Sequence, residues 1–152
     1  MIWTEYFRNI AHQVKLKSKD IRTQIGAVIV GKDNEILSTG YNSFPRGIND
    51  ELDERQERPE KYYWFEHAER NAIYNAARIG VSLKDSTMYL TCGISCADCT
   101  RGIINSGIKR VYLERGGGAQ GKLWNEHEIR SIQMFKEAGV DVKFYDEDLT
   151  IS

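Results

Sequence analysis

The chain has 152 residues, of which 41% are hydrophobic, and a formal net charge of −1 at pH 7. This length fits one ordinary domain, so we treat residues 1–152 as a single domain with enough apolar side chains for a core. The balanced charge argues against a strongly basic nucleic-acid-binding protein, and no stretch approaches the roughly 18 apolar residues of a membrane span.

The N-terminal part of the sequence predicts a helix followed by a β-hairpin. Apolar residues recur near the helical period in residues 3–18, with Thr4 as the predicted N-cap. A β-branched run at 25–30 and a second apolar run at 36–41 flank turn residues at 31–35. Two short strands joined by such a turn predict a hairpin.

The middle of the sequence predicts a long loop and then alternating helices and strands. Both prolines and many charges lie in residues 42–64, which predict a functional or mobile loop. A helix is predicted at 65–80, ending at Gly80, followed by a strand at 86–91 and a helix at 96–107.

The C-terminal part adds a strand at 109–114, a flexible glycine-rich segment at 115–121, a helix at 125–139 and a strand at 140–145. Strands that alternate with helices predict an α/β protein, a three-layer α/β/α sandwich with a mixed five-stranded sheet. The first two strands should be antiparallel, and strands joined through helices can be parallel.

All three cysteines lie in the string CGISCADC at 92–99. The N-terminus lacks the continuous apolar stretch of a signal peptide, so we expect a cytoplasmic location. Thiols stay reduced there, and clustered cysteines more often bind metal or do chemistry than form disulfides. Three is also an odd number for a disulfide framework.

Two short motifs open consecutive predicted helices: HAE at 67–69 and CADC at 96–99. Together they match the H-x-E…C-x-x-C signature of zinc nucleobase deaminases. His67, Cys96 and Cys99 offer one nitrogen and two sulfurs to Zn²⁺. Three protein ligands leave the fourth tetrahedral position to water, which is typical of a catalytic zinc site.

Glu69 is the predicted catalytic residue. Water activated in such a site attacks the carbon that bears the exocyclic amine, and a side chain must carry protons to the ring nitrogen and to the departing ammonia. In a helix, Glu69 would point about 200° away from His67, so it would approach the water rather than act as a further ligand.

Other interpretations of the cysteines remain open at this point. CxxC alone also occurs in redox pairs, and the Cys92, Cys96 and Cys99 spacing resembles the iron–sulfur triad of radical S-adenosylmethionine enzymes. That cluster would leave HAE without a role, so we interpret Cys92 as a small buried or loop residue. A structural zinc module is a further alternative, but its site would be closed by a fourth protein ligand.

Ser95 and Asp98 have the spacing of a capping box for the helix that carries the cysteines. In this interpretation Ser95 is the N-cap and Asp98 reaches back to it. A helix N-terminus favours negative charge and would therefore support two thiolates.

The sequence resembles the deoxycytidylate (dCMP) deaminases of the cytidine deaminase-like superfamily. The resemblance runs from about Trp3 to Leu113, and the segments that carry it are SKDIRTQIGAVIV (18–30), STGYNSFPRGIND (38–50), HAERNAIYNAA (67–77) and CADCTRGIINSGIKRVYL (96–113). It implies the cytidine deaminase-like fold and the zinc-dependent conversion of dCMP to dUMP and ammonia, which supplies thymidylate synthesis. The alternative is a deaminase of the same superfamily that acts on another small cytosine or related compound, such as a nucleoside, a base or a modified cytidylate.

The resemblance also implies roles for individual positions. Zn²⁺ is the implied cofactor, and the residues already described supply its ligands and the proton shuttle. Asn42 matches a residue expected to bond the sugar or base, and Ala68 is placed at the substrate. Arg22 is a candidate for the substrate phosphate, because a guanidinium grips phosphate oxygens in a fork.

Family members are often regulated by the triphosphates dCTP and dTTP, and Arg46 would be the basic residue of that allosteric site. The resemblance further implies a homo-oligomer, a hexamer by analogy, with a nucleotide as small-molecule partner and no nucleic acid. The chain departs from the family pattern at Ser95, where the family usually has Pro, and at Ser43, where it usually has Gly.

Two segments keep two interpretations each. The aromatic run YYWF at 62–65 predicts either a surface that stacks on the pyrimidine or, preferably, core or subunit contacts. The glycine-rich segment with Arg115 and Lys122 predicts either a phosphate-closing turn or, more commonly, a mobile connector. His12 and His127 receive no role.

Overall fold

The computed structural model describes residues 1–116 and 122–147, with side chains described in 1–116 and 125–147. The helices are α1 (Trp3–Val14), α2 (Lys61–Trp64), α3 (Ala68–Ile79), α4 (Ala97–Asn105) and α5 (Lys122–Ala138), with 3₁₀ turns at Lys15–Lys17 and Asp53–Gln56. The strands are β1 (Gly26–Val30), β2 (Ile36–Tyr41), β3 (Thr87–Leu90), β4 (Arg110–Leu113) and β5 (Asp141–Phe144).

The five strands form one mixed sheet in the order β2-β1-β3-β4-β5. β1 pairs antiparallel with both β2 and β3, whereas β3 with β4 and β4 with β5 are parallel. The predicted hairpin and the predicted mixture of strand directions are therefore confirmed. The parallel pairs are those whose connections pass through a helix, as crossover geometry requires.

Helices cover both faces of the sheet. On one face Phe7 and Ala11 of α1 pack against Val28 and Val30, and on the other Ala72 of α3 belongs to the larger core cluster. Successive β1 residues alternate between these clusters, since side chains of a strand point to opposite faces. The predicted three-layer α/β/α sandwich is confirmed.

Aromatic side chains form a ladder on the α1 face. Tyr89 stacks on Tyr112 with ring centroids 5.1 Å apart, and Tyr112 stacks on Tyr145 at 5.8 Å. The Tyr145 hydroxyl donates a hydrogen bond to the carbonyl of Leu90 at 2.7 Å. None of the helices in the described part of the chain combines the length and the apolar character that crossing a bilayer needs.

Helix α3 lies unusually close to the edge strand β2. A Cβ at Gly40 would lie 2.3 Å from the backbone nitrogen of Ala72, so a side chain cannot fit there. Asn71 and Asn75 donate hydrogen bonds to carbonyls of β2, each at 2.8 Å. These bonds satisfy backbone groups that an edge strand leaves unpaired and fix the start of α3 against the sheet.

Several predicted boundaries are wrong by a turn or less. The N-cap of α1 is Ile2, so Thr4 lies inside the helix, and the predicted helix 3–18 continues beyond Val14 only as a 3₁₀ turn. The loop 42–64 contains short helical turns, including α2. The end of α3 at Gly80, with φ of 83°, is confirmed. Residues 117–121 of the predicted glycine-rich connector lie outside the described residues.

Candidate functional site

His67 lies immediately before α3 and is its N-cap residue, with extended backbone angles (φ −74°, ψ 152°). The preceding residue, Glu66, exchanges two backbone hydrogen bonds with Ser43 at 3.1 and 2.8 Å. The Glu66 carboxylate also accepts a hydrogen bond from the His67 backbone N–H at 3.0 Å. The segment that carries the imidazole is therefore fixed to the chain that leaves β2.

Cys96 and Cys99 lie at the start of α4, and both are buried. Cys96 is the N-cap residue, and its sulfur accepts the backbone N–H of Cys99 at 3.4 Å. The predicted capping box is therefore wrong in its details. Ser95 lies one residue before the cap, and Asp98 forms an ion pair with Arg101 instead of reaching back. A sulfur takes the place of the hydroxyl because the chain turns into the helix one residue later than predicted.

The imidazole of His67 lies between the two sulfurs. Its Nδ1 is 3.5 Å from Cys96 Sγ and 3.3 Å from Cys99 Sγ, and the three atoms lie within 4.8 Å of one another. Zinc bonds of about 2.1 Å to nitrogen and about 2.3 Å to sulfur in a tetrahedron place these atoms about 3.6 Å apart. The donor set and its spacing therefore fit a metal ion such as Zn²⁺.

Without a metal, these three groups share protons. The hydrogen bond from Cys99, aided by His67, lowers the pKa of Cys96 to about 4, while the hydrogen bond to Cys96 and burial raise the pKa of Cys99. The hydrogen bond to Cys96 raises the pKa of His67 despite burial. A metal ion bound by these groups would replace the protons that they hold.

Glu69 lies in the first turn of α3 and is only 3% exposed. Its negative charge raises the pKa of both His67 and Cys99. The predicted 200° helical separation between His67 and Glu69 is wrong, because His67 precedes the helix and has extended backbone angles. Glu69 is a buried carboxylate two residues after His67, and its role as the proton shuttle stays a prediction.

Cys92 is buried, and burial raises the pKa of its thiol well above the usual value. The group of possible metal ligands found among the described residues contains His67, Cys96 and Cys99 without Cys92. The structure thus separates Cys92 from the pair that follows it, as the interpretation of Cys92 as a bystander predicts.

Asn42 and Arg22 already have partners within the chain. The Asn42 side chain accepts the backbone N–H of Ile25 at 2.8 Å and donates to the carbonyl of Thr23 at 2.7 Å. One nitrogen of Arg22 lies 3.0 and 3.1 Å from the two carboxylate oxygens of Glu57. Asn42 therefore fixes the segment before β1, and a phosphate at Arg22 would have to displace Glu57.

Ala68 and Arg46 differ in their surroundings. Ala68 is fully buried at the first position of α3, where backbone N–H groups have no partner inside the helix. Arg46 is exposed and lines an open cleft of about 380 Å³ together with Lys17, Lys19 and Tyr41. The role of Ala68 at the substrate and the role of Arg46 in effector binding both stay predictions.

The aromatic run at 62–65 is divided by the fold. Tyr62 and Tyr63 are exposed, whereas Phe65 packs against Phe44 with ring centroids 4.2 Å apart. Phe44 and Phe65 belong to the two segments joined by the Ser43–Glu66 bridge, so this ring pair supports the chain that leads into His67. The buried part of the run therefore has a packing role.

Arg115 follows β4 and already has partners within the chain. It forms ion pairs with Asp146 and Glu147, and its guanidinium lies 3.9 Å from the ring centroid of Phe144. A phosphate-closing role for Arg115 would require these contacts to break.

Arg70 and His127 contact residues next to the proposed metal ligands, and neither role is predicted from the sequence. The Nη2 atom of Arg70 contacts Glu66 at 2.7 Å, and His127 Nδ1 accepts the backbone N–H of Ala97 at 3.0 Å. The i,i+4 spacing of Glu66 and Arg70 is a signal that could have revealed the first contact. The second joins distant helices, so no local pattern predicts it.

Comparisons with known proteins show the family to which the sequence is related. A model of the cytidine and deoxycytidylate deaminase zinc-binding region matches residues 1–115. A probable deoxycytidylate deaminase of Caenorhabditis elegans is 42% identical over 110 residues, and the match covers 70% of this chain but only 54% of that protein. The deoxycytidylate deaminase of Mus musculus is 38% identical over 144 residues, which cover 91% of this chain and 76% of that protein.

Solved structures give the same picture. The crystal structure of dCMP deaminase from the cyanophage S-TIM5, in complex with dCMP and dUMP, superposes with a TM-score of 0.72 at 26% identity. The match covers 92% of this chain and 94% of that one. The apo form of the same enzyme superposes equally well, with a TM-score of 0.72.

Proposed function

The chain belongs to the cytidine and deoxycytidylate deaminase family, and we propose that it hydrolyses dCMP to dUMP and ammonia in a reaction that depends on zinc. The observation that carries this proposal is the meeting of His67 Nδ1 with the sulfurs of Cys96 and Cys99 beside the buried carboxylate of Glu69. The relatives named deoxycytidylate deaminase and the related structure with dCMP and dUMP support the choice of substrate.

The zinc ligands in this proposal are His67, Cys96 and Cys99. When bound there, zinc supplies a Lewis acid that makes water a nucleophile near neutral pH. Burial of the two cysteines keeps bulk solvent from the donor atoms. No protein carboxylate is needed to complete the ligand set, so Glu69 is free for proton transfer.

Glu69 would move the protons that the reaction requires. Water adds to C4 of cytosine, and the exocyclic amino group leaves as ammonia. Glu69 accepts one proton from the attacking water and delivers it to ring nitrogen N3. It then takes the remaining proton from the hydroxyl added at C4 and delivers it to the departing amino group, so that both protons of the water are accounted for. A buried carboxylate suits this task because few competing waters reach it.

Recognition of the nucleotide is assigned to residues around β1 and β2. We propose that Asn42 bonds the sugar or base, that Ala68 lines the substrate at the start of α3, and that Arg22 exchanges Glu57 for the substrate phosphate. Arg46 is proposed for the binding of dCTP or dTTP as effectors, in the cleft that also contains Lys17 and Lys19.

The remaining proposals concern organisation and location. We propose that residues 1–152 act as a single deaminase domain, that the protein works in the cytoplasm and that it supplies thymidylate synthesis. Exposed aromatic side chains such as Trp3 and Tyr63 offer surface for a homo-oligomer, a hexamer by analogy. The net charge of −1 supports a small nucleotide rather than nucleic acid as substrate.

An ultraviolet deamination assay tests the function. Zinc-loaded protein is offered dCMP, CMP, deoxycytidine, cytosine and dCTP at equal concentrations. We expect kcat/KM to be highest for dCMP by at least about tenfold, a difference of about 1.4 kcal/mol in transition-state stabilisation. A preference for an uncharged substrate would contradict the nucleotide assignment and the role of Arg22.

A further inference from the structure

Arg70 lies one residue after Glu69 and joins the two halves of the metal centre. Its Nη2 contacts the Glu66 carboxylate at 2.7 Å, and its Nη1 lies 3.9 Å from the Asp98 carboxylate. The side chain is 24% exposed, so these contacts are shielded from much of the solvent. One guanidinium therefore spans the start of α3 and the start of α4.

The two partners of Arg70 are neighbours of the metal ligands. Glu66 precedes His67 and receives a hydrogen bond from the His67 backbone through the same oxygen, Oε1, that Arg70 contacts. Asp98 lies between the two cysteines in the first turn of α4. Arg70 thus ties the residue before one ligand to the turn that contains the other two.

The charge of Arg70 matches its surroundings. Burial lowers the pKa of Arg70, but the acidic groups around it, including both sulfurs of the site, outweigh that effect and raise it. The guanidinium is a permanent positive charge near two cysteine sulfurs and two carboxylates. It offsets repulsion among negative groups that the metal centre brings together.

The Nε atom of Arg70 is buried and has no hydrogen-bond partner among the described residues. A buried donor without a hydrogen-bond partner does not contribute to stability. Stability alone would favour a side chain without this unmatched group. The unpartnered Nε is consistent with a role for Arg70 that depends on the position of its positive charge.

We infer that Arg70 is a positioning residue for the metal centre, which holds His67 and the Cys96–Cys99 turn at the spacing that a metal ion requires. The inference rests on the proposed zinc site but not on the identity of the substrate. Groups that orient metal ligands typically contribute 10- to 100-fold to metal affinity.

The chain offers a matched control in Arg101. Arg101 also pairs with Asp98, but both residues lie in α4 and the Arg101 side chain is 58% exposed. Removal of Arg101 deletes an Asp98 ion pair without breaking a link between helices. Arg70 therefore links α3 to α4 through Asp98, whereas Arg101 pairs with Asp98 only within α4.

The test is zinc affinity, measured by competition with a chromophoric chelator on the full-length protein. We expect R70M to raise the dissociation constant for Zn²⁺ by about 10- to 100-fold and R101M to change it by less than about twofold. R70K should lie between wild type and R70M, because a lysine is a single point charge that cannot reach both carboxylates as a fork does. Cobalt-substituted protein should show altered visible bands in R70M only.

An unchanged zinc affinity in R70M, or an equal loss in R101M, would overturn the inference. If R70M fails to fold in saturating zinc, R70K decides the question, and wild-type zinc affinity in R70K would refute the bridging role. Zinc affinity is read without substrate. A chain that binds zinc but does not deaminate dCMP would therefore refute the proposed function and leave the role of Arg70 standing.

Discussion

His127 Nδ1 accepts a hydrogen bond from the backbone N–H of Ala97 at 3.0 Å. Ala97 is the first residue of α4 and follows Cys96, so a side chain of α5 caps the helix that carries two of the proposed ligands. An N–H group in the first turn of a helix has no partner within that helix. The tertiary contact therefore does what a local N-cap side chain does elsewhere.

Substitution of His127 by Ala should weaken this end of α4. The Ala97 N–H loses its acceptor, so we expect the free energy of unfolding to fall by about 1–2 kcal/mol, measured by urea denaturation in saturating zinc. His12→Ala is the matched control, because His12 lies in α1 and contacts Glu114 rather than α4. Equal stability of His127→Ala and wild type would show that the cap is dispensable.

Substitution of Glu69 by Gln should separate catalysis from metal binding. Gln keeps the shape of the side chain but cannot accept the proton from water, so kcat should fall by about 10²- to 10⁴-fold. Zinc content, measured by atomic emission, should stay near one ion per chain. Normal turnover by this variant would contradict the assignment of Glu69 as the proton shuttle.

The three cysteines should differ in their effect on zinc. Cys96→Ala removes a sulfur 3.5 Å from His67 Nδ1, so the purified variant should lose most of its zinc. Cys92→Ala should retain zinc, because Cys92 lies outside the donor group of the described residues. Zinc loss in Cys92→Ala would instead support a metal site formed by all three cysteines.

Zinc affinity should rise with pH. The pKa of His67 is raised above its ordinary value of 6.5 and that of Cys99 is also raised, so zinc must displace protons from both. Protons therefore compete with zinc even above pH 6.5. Titrations in buffers of different ionisation enthalpy should show proton release on binding, and an affinity that stays constant from about pH 6 to about pH 8 would contradict this.

Substitution of Asp20 by Asn should destabilise the segment before β1. Burial opposes the charge of Asp20, but the hydrogen bonds from Lys61 and from the backbone of Arg22 and Thr23 lower its pKa below the ordinary 3.8. Loss of the charged acceptor should cost about 2 kcal/mol at neutral pH, measured by chemical denaturation.

The control for this prediction is the pH dependence of the difference in unfolding free energy between wild type and Asp20→Asn. A lowered folded pKa means that the carboxylate stabilises the wild type above pH 3.8, and that this contribution is lost as the pH falls through the folded value. The difference between wild type and Asp20→Asn should therefore shrink in acid. A difference that does not depend on pH would show that the charge of Asp20 is unimportant.

Much of the fold follows from local patterns. The hairpin formed by β1 and β2 follows from β-branched runs around a turn, and the end of α3 follows from Gly80. Helix starts are predicted less well. Ser95 has better capping chemistry than Cys96, yet the chain enters α4 after Cys96, since tertiary contacts rather than a local side chain choose the position.

The ligand set is visible in the sequence because its chemistry restricts residue type and spacing. The residues that support it are less restricted. Arg70 acts across two helices, and His127 reaches Ala97 from 30 residues away in the chain. Their roles depend on how α3, α4 and α5 pack, which no short segment encodes. Asn42 shows the same limit, since its in-chain bonds to Ile25 and Thr23 come from loop packing.

The positions of the proposed ligands have a consequence for folding. His67 and Cys96 are 29 residues apart, and the intervening chain contains all of α3 and β3. A metal ion bound to both would act as a cross-link that closes this loop. Cross-links of that loop length lower the entropy of the unfolded chain by an amount worth about 3–4 kcal/mol. The same ion that serves catalysis would thus link the starts of α3 and α4 and close a loop that contains a central strand of the sheet.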